Sequence, residues 1–296
     1  MKFRGHETFS IRKGWLSKGL RCVVKNPSVF VAKDENAMDV LGIGSNMVKS
    51  LRYWLQATML TSEPNSGQRD QSLTALGKLI NEYDPFFEEI GTLWLIHHSL
   101  STNKEMATSW YLFFNKFDSV EFDEDDFCGF VRKYATIFDS EKFPSDRTIG
   151  DDYKCIINTY YSKNQMSSIK DNPEDNFECP LSELGLISFV KSNSIGNRVY
   201  RKQTPNIESI PIEIALAMIL YFANGKDEIL ISSLVKDENS ISKICNLDTA
   251  NLLLVLYSLE QSRYINVIRT AGLDVIRITT NMTYEDCIKA YYNKIN

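Results

Sequence analysis

Apolar residues recur at helical spacing over most of the chain, and this pattern predicts a mainly helical protein. The apolar residues of segment 45–57 lie on one helix face, while Lys49 and Arg52 lie on another. Phe127, Phe130 and Val131 begin a second amphipathic pattern, with intervals of three and four residues. Segments 93–100 and 106–117 are dense in Leu, Trp, Tyr and Phe, so we predict two buried helices there.

Polar and glycine-containing segments arrange the other predicted elements into two similar units. In the first unit, a short helix at 35–40 stops at Gly42, and a second begins with Ser45 as its N-cap. A hairpin around the polar loop 62–72 follows, beginning with a strand at 59–61. In the second unit, helices at 212–222 and 249–261 precede strands at 264–268 and 275–279. This order is typical of a winged helix-turn-helix. The predicted fold class is therefore mainly α (α+β), a helical core with two winged helix-turn-helix-like units, each with a small β-hairpin.

The charge distribution divides the chain further. The net charge of −5 combines +6 over residues 1–80, −12 over 81–190 and +1 over 191–296. We predict a basic N-terminal segment with a winged-helix DNA-binding unit at 1–90, an acidic helical core at 91–190, and a C-terminal winged-helix-like domain at 191–296. Such asymmetry favours an electropositive face that binds nucleic acid, and the alternative is a solvated surface with an ordinary charge fluctuation.

The segment 3–16 carries the densest candidate chemistry. His6 is a candidate general base or metal ligand, and Glu7 is a candidate for positioning a cation or water; both are predicted as catalytic residues. Arg4 and Arg12 have the planar geometry that clamps a phosphate. The neighbouring aromatic residues are candidate platforms for an exposed base: Phe3, Phe9 and Trp15. The alternative is structural, with Arg and Glu paired, His6 capping a turn and the aromatic rings in the core.

Eight residues are predicted to bind DNA because they are cationic or polar and lie near the N-terminus or on the second helix of the first unit. They are Arg4, Arg12, Lys13, Lys18, Ser45, Asn46, Lys49 and Arg52. The corresponding helix of the second unit carries Asn251, Ser258 and Glu260 and is not basic. We therefore expect that helix to pack within the protein or to mediate dimerisation. A second copy of the chain, forming a homodimer, is accordingly a candidate partner.

Other motifs point to no chemistry. His97 and His98 lie in an apolar segment and point about 100° apart on a helix, so buried structural histidines are predicted rather than a metal site. The glycines of segment 41–44 lack the residues of a P-loop and are assigned to the helix-turn-helix turn. The acid pairs 151–152 and 174–175 are of a type that could complete a metal site with Glu7, but the sequence gives no evidence that they approach it. The six cysteines form no C-x-x-C pair, no apolar run is long enough to span a membrane, and the opening residues do not resemble a signal peptide. A cytoplasmic location is expected.

Four blocks resemble, in order, a bacterial family. They are FRGHETFSIRKGWLSKGL (3–20), LGIGSNMVKSLRYWLQA (41–57), TLWLIHHSLSTNKEMATSWYLFFNKF (92–117) and EDNFECPLSELGLI (174–187). Together they resemble the SspB family, whose best-known member is the nicking component of the single-stranded DNA phosphorothioation system. The first two blocks are the most specific, and the C-terminal third is similar in layout more than in wording.

This resemblance implies a DNA nicking endonuclease that acts in phosphorothioate modification and phage defence. It implies double-stranded DNA as substrate, and a cysteine desulfurase, an ATPase and an ATP-pyrophosphatase-like protein as partners. No catalytic residue set is carried over from the family. Hydrolysis of one phosphodiester strand is expected to need a divalent ion, Mg²⁺ or Mn²⁺, whose ligands stay unknown. The alternatives are a non-enzymatic winged-helix adaptor that binds DNA and recruits the sulfur-transfer machinery, and a pure protein-interaction module.

Overall fold

The computed structural model describes residues 1–32, 36–137, 143–162, 178–192, 196–270 and 273–295. The described α-helices are α1 (Trp15–Lys25), α2 (Ala37–Leu41), α3 (Ser45–Ala57), α4 (Ala75–Tyr83), α5 (Ile90–Thr102), α6 (Thr108–Asn115), α7 (Glu124–Ile137), α8 (Asp146–Tyr160), α9 (Ile212–Ala223), α10 (Ile231–Lys236), α11 (Ile241–Ile244), α12 (Thr249–Gln261) and α13 (Tyr284–Ile295). The described strands are β1 (Thr61–Ser62), β2 (Ser72–Leu73), β3 (Glu121–Phe122), β4 (Ile187–Ser192), β5 (Arg198–Lys202), β6 (Glu228–Leu230), β7 (Ile265–Thr270) and β8 (Leu273–Ile278). The mainly helical α+β class is confirmed.

The first unit has the predicted element order, with local differences. Gly42 ends α2 in the left-handed region, at φ 58°, where a residue without Cβ is favoured. The N-cap of α3 is Gly44, so the prediction of Ser45 as the cap was wrong by one residue, and Ser45 opens the helix. The first strand starts at Thr61 rather than at residue 59, because Met59 adopts a left-handed turn, at φ 55°, directly after α3. β1 and β2 pair antiparallel as the predicted hairpin.

The middle of the chain is built around α5 and α6, whose residues are almost all buried. β3 pairs with β5, and β4 pairs with the other side of β5, so the sheet order is β3-β5-β4. The predicted boundary between residues 190 and 191 therefore falls within β4, although the predicted domain division itself stays untested. Residues 174–175 of the acid pair and of the fourth resemblance block lie outside the described residues.

The C-terminal unit follows its predicted pattern closely. α9 and α12 match the predicted helices to within a residue, and the hairpin β7–β8 forms a three-stranded antiparallel sheet with β6. Asp248 caps α12 by accepting a hydrogen bond from the Asn251 backbone N–H. α13 returns to pack on α9 and α4, and the hydroxyls of Thr92 and Tyr292 are hydrogen-bonded at 2.6 Å. The C-terminal helix thus joins both halves of the fold.

The predicted structural role of the two histidines on α5 is confirmed by their burial. The Tyr160 hydroxyl lies 2.7 Å from Nδ1 of His97, and Nε2–H of His97 donates to the Ile244 carbonyl at 2.9 Å. Burial lowers the pKa of His97 to about 4 and that of His98 to about 3. The imidazoles of His97 and His98 are therefore neutral in the folded core.

The described residues include no disulfide, and all six cysteines are free thiols. Within the described ranges, no helix combines the length and the apolar character needed to cross a membrane.

Candidate functional site

The segment 4–8, which we call the N-terminal loop, has a strained backbone. Arg4, Glu7 and Thr8 all have positive φ angles, of 54°, 49° and 69°. Residues with a side chain rarely adopt this region, and for a β-branched residue such as Thr8 it is a genuine outlier. Each such residue costs about 1–3 kcal/mol and persists only where surrounding contacts enforce it. Three within five residues mark this loop as a candidate functional segment.

His6 lies at the centre of the loop and is completely buried. Its Nδ1 accepts a hydrogen bond from the Thr8 backbone N–H at 3.0 Å, so this nitrogen carries no proton. The ring proton is therefore assigned to Nε2, which lies 2.6 Å from Oδ1 of Asp152. The imidazole also stacks on Trp54, with ring centroids 5.9 Å apart. Both nitrogens are thus engaged, and water does not reach either of them.

Asp152, on α8, is the anchor to which the loop is attached. Its Oδ1 accepts from the Arg4 backbone N–H at 2.9 Å as well as from His6, and its Oδ2 accepts from the Ser109 hydroxyl at 2.5 Å. The Asp152 side chain is only 2% exposed. A buried carboxylate is tolerated only when it is hydrogen-bonded in this way. These contacts join the basic N-terminal segment to two helices of the acidic middle region.

Gly5 fits the loop closely against α3. A Cβ at this position would lie 2.4 Å from the Tyr53 ring, a contact that no real side chain makes. The indole N–H of Trp54 donates to the Phe9 carbonyl at 2.9 Å and fixes the chain where it leaves the loop. The loop is therefore held from α3, α6 and α8 at once.

The two ends of the loop present different charges to solvent. Arg4 Nε lies 2.9 Å from Oδ2 of Asp151, so its charge is already compensated. Glu7 is exposed, and no hydrogen bond or ion pair of its carboxylate is found among the described residues. The geometry thus separates the two predicted catalytic residues. His6 holds the loop through both ring nitrogens, whereas the Glu7 carboxylate is open to solvent; catalysis by either residue stays a prediction.

The predicted DNA-binding cations also differ in their availability. Arg52 donates from Nε and Nη2 to the two carboxylate oxygens of Glu63, at 2.9 and 2.7 Å, which reduces its ability to bind a phosphate. Arg12 packs against the rings of Phe9 and Trp15. Lys13 and Lys49 are exposed. No carboxylate pairs with the cations Arg12, Lys13, Lys18 and Lys49 in the described part of the chain.

Four of the predicted residues converge at the turn between α2 and α3. Ser45, Asn46 and Lys49 are exposed on the first two turns of α3, and a Cβ at Gly42 would lie 3.6 Å from Nζ of Lys18. The N-cap of α3 makes no side-chain hydrogen bond to the helix, so first-turn N–H groups stay available to an anion. We call Lys18, Ser45, Asn46 and Lys49 the turn surface.

No preformed metal centre fits the described residues. Among them, no group of three or more His, Cys, Asp or Glu side chains is arranged to hold a metal ion. Asp152 is engaged by His6, Arg4 and Ser109, and Asp151 is paired with Arg4. Mg²⁺, however, often takes only one or two carboxylates, with water and substrate phosphates as its other ligands. The exposed Glu7 carboxylate could serve as one such ligand.

Sequence reasoning named the pair 151–152 without finding that Asp152 binds the loop, and it missed Phe86 altogether. Asp152 shares a helix face with Ile149 and Ile156, so its position within an apolar pattern was a signal that it is buried with a partner. Phe86 is strongly exposed, whereas the predicted stacking platform Trp15 is buried and Phe3 and Phe9 are half-buried. An exposed aromatic residue in a short loop leaves no periodic signal that would reveal it.

The fold and this region define a mainly helical α+β protein with an anchored N-terminal loop and a cationic surface. The chain belongs to the family described as protein of unknown function DUF4007, whose model matches residues 3–292. It is similar to an SspB crystal structure, with a TM-score of 0.85, and to a magnesium ion-bound SspB crystal structure, with a TM-score of 0.84. Both are 26% identical in sequence and cover 99% of this chain and 88% of the other. The predicted resemblance to SspB is therefore confirmed. No curated protein matches the sequence.

Proposed function

We propose that this protein is a DNA nicking endonuclease, and that its N-terminal loop is the reactive segment. The observation that carries the proposal is the exposed Glu7 carboxylate on a strained loop that buried contacts hold in place. Strain maintained by several elements is typical of sites whose geometry matters for function. The similarity to SspB over almost the whole chain supports the same assignment.

In the proposed complex, the turn surface binds the duplex and the loop approaches one strand. Helix, turn, helix and hairpin in α2, α3, β1 and β2 act as a winged helix-turn-helix, with the N-terminus of α3 and Lys49 on backbone phosphates. Arg12 and Lys13 neutralise the phosphate charge that grows during in-line attack. Glu7 orients the attacking water, and His6 and Asp152 keep Glu7 in position without touching the substrate.

A divalent ion is proposed to join this site together with the DNA. The magnesium ion-bound SspB structure supports this for a relative. Here Glu7 is the proposed protein ligand, with phosphate oxygens and water as the others. When bound, Mg²⁺ or Mn²⁺ would supply charge stabilisation at the phosphate.

By its similarity to SspB, the protein is further proposed to act in DNA phosphorothioation and phage defence. A cysteine desulfurase, an ATPase and an ATP-pyrophosphatase-like protein are the proposed partners. A cytoplasmic location stays a prediction. A homodimer through α12 likewise stays a prediction: Leu254 and Tyr257 are exposed there, and α12 carries no basic residue.

The experiment that tests the proposal is relaxation of supercoiled plasmid in Mg²⁺, Mn²⁺ or EDTA. The wild type is expected to produce open circles only with a divalent ion. Glu7→Gln should lose nicking and keep its affinity for duplex DNA, because this side chain is exposed and bonds to no described group. Glu208→Gln is the matched control, an exposed glutamate in the C-terminal region. Full nicking by Glu7→Gln would contradict the assignment of Glu7.

The second candidate function is a non-enzymatic DNA-binding adaptor. The observation that favours it is that the described residues form no complete metal centre of their own. It predicts duplex binding without cleavage in any divalent ion, so the same assay separates the two functions.

A further inference from the structure

The loop between α4 and α5 presents an aromatic ring to solvent. Phe86 is 59% exposed, and no other exposed aromatic side chain in the described part of the chain exceeds this value. The carboxylate of Asp84 accepts from the backbone N–H groups of Glu88 and Glu89, both at 3.0 Å, and Phe87 is held in the left-handed region at φ 59°. The loop is thus fixed in a conformation that keeps Phe86 out of the core.

Two guanidinium groups accompany this ring. Arg21, on α1, lies over Phe86 with its Cζ 5.6 Å from the ring centroid. Arg12 lines the pocket beside Phe86 and is supported by Phe9 and Trp15. In the described part of the chain neither arginine is paired with a carboxylate, so both charges are available to a phosphate.

The ring borders an apolar pocket with a polar group in its wall. Ile11, Leu93 and Leu181 line the pocket, whose free volume is about 10 Å³, which is room for one water-sized group and not for a base. Ser17 also lines it, is only 3% exposed, and makes no hydrogen bond through its hydroxyl. A buried hydroxyl without a partner is uncommon and indicates that the pocket can accept a polar atom of a ligand.

We propose that this surface binds an unpaired nucleobase of a DNA strand. The base stacks on Phe86 and the Arg21 guanidinium over the mouth of the pocket, and Arg12 binds a flanking phosphate. Aromatic rings combined with cations are the usual means of binding single strands, because every base has a π-face and every nucleotide a charge. Exposed Glu88 repels phosphates on its own side of Phe86, so the strand passes on the arginine side. The inference rests on the proposed function, since it supplies the contact for a strand that is separated from its complement.

The test is fluorescence anisotropy in EDTA, with labelled oligothymidylate and a duplex of the same length. Phe86→Ala should weaken single-strand binding by about 5- to 150-fold, the range for losing one base–aromatic stack, and leave duplex binding within about threefold. Phe86→Trp should retain single-strand binding, since it keeps an aromatic platform. Val120→Ala is the control for loss of an exposed apolar side chain, because Val120 is 64% exposed outside every proposed surface and should leave both affinities unchanged.

The outcomes separate this inference from the proposed function. Unchanged single-strand affinity in Phe86→Ala, together with nicking by the wild type, would overturn the nucleobase site and leave the nickase standing. An equal loss on single strand and duplex would also overturn it, because the contact would then not depend on an unpaired base. Wild-type protein that binds neither probe would overturn the proposed function as well.

Discussion

Removal of the Asp152 carboxylate is expected to release the N-terminal loop. In Asp152→Ala, the donors of His6, Ser109 and the Arg4 backbone lose their acceptor in a site that water does not enter. Breaking a buried charged network by removing one partner costs about 3–5 kcal/mol of unfolding free energy. Asp152→Asn keeps one acceptor oxygen and the side-chain shape, so a loss of about 1–2 kcal/mol is expected from the missing charge.

Asp151→Asn is the matched control for this prediction. Asp151 neighbours Asp152 on α8, but its side chain is 19% exposed and its recorded ion pair is with Arg4, whose side chain is 42% exposed. Partly exposed pairs of this kind contribute at most about 1 kcal/mol. Stability is measured by urea denaturation, followed by the fluorescence of the tryptophans that surround His6. Release of the loop is measured separately, as the rate of tryptic cleavage after Arg4.

The two measurements can refute the reasoning independently. If Asp152→Ala loses no more stability than Asp151→Asn, the buried network does not hold the fold as its geometry implies. If stability falls but cleavage after Arg4 is as slow as in the wild type, Asp152 supports the helices and not the loop. If Asp152→Asn is as damaging as Asp152→Ala, the charge rather than the hydrogen-bond geometry is responsible.

The other predictions concern surface charge, backbone strain and pH. Lys49→Gln should weaken duplex binding and reduce the slope of log affinity against log salt by about one, whereas Arg52→Gln should change both less because Glu63 already engages it; equal effects would contradict this. Thr8→Asn should raise the unfolding free energy by up to about 1 kcal/mol, since Asn tolerates a left-handed backbone better, and urea denaturation would show a loss if it does not. His98 has a folded pKa of about 3, so the unfolded chain alone takes up its proton as pH falls below about 6.5, and stability falls with pH in that window. His98→Leu should reduce that pH slope by about one proton, and an unchanged slope in denaturation at several pH values would refute the assignment.

Sequence patterns were sufficient for the elements whose determinants are local. The helix predicted over segment 45–57 forms there, with an N-cap one residue earlier than predicted, because an apolar stripe defines it within thirteen residues. α12 follows in the same way from its apolar periodicity, and the β7–β8 hairpin from two alternating segments around a turn. The predicted starts of α3 and of β1 were wrong by one or two residues, because backbone conformation at Gly44 and Met59 sets where these elements begin.

The candidate site could be found but not understood from the sequence. Segment 3–16 was singled out correctly as unusual, yet its residue types do not reveal which of them are buried. His6 meets Asp152 at a separation of 146 residues, a tertiary contact without a local signal. The pairing of Arg52 with Glu63 depends in the same way on the geometry of the hairpin that follows α3. Exposure, and not residue type, therefore decides which predicted residues can meet DNA.

These contacts also explain why a basic segment and an acidic region occur in one chain. Asp151 and Asp152 belong to the acidic middle. The Asp151 carboxylate pairs with Arg4, and the Asp152 carboxylate is hydrogen-bonded to His6 in the N-terminal loop. Lys13 and Lys49 receive no such partner among the described residues and stay exposed. These two acids thus engage Arg4 and the N-terminal loop, and they leave Lys13 and Lys49 unpaired within the described part of the chain. A total charge of −5 is consequently compatible with DNA binding, because affinity depends on the unpaired cations at the interface and not on the sum over the chain.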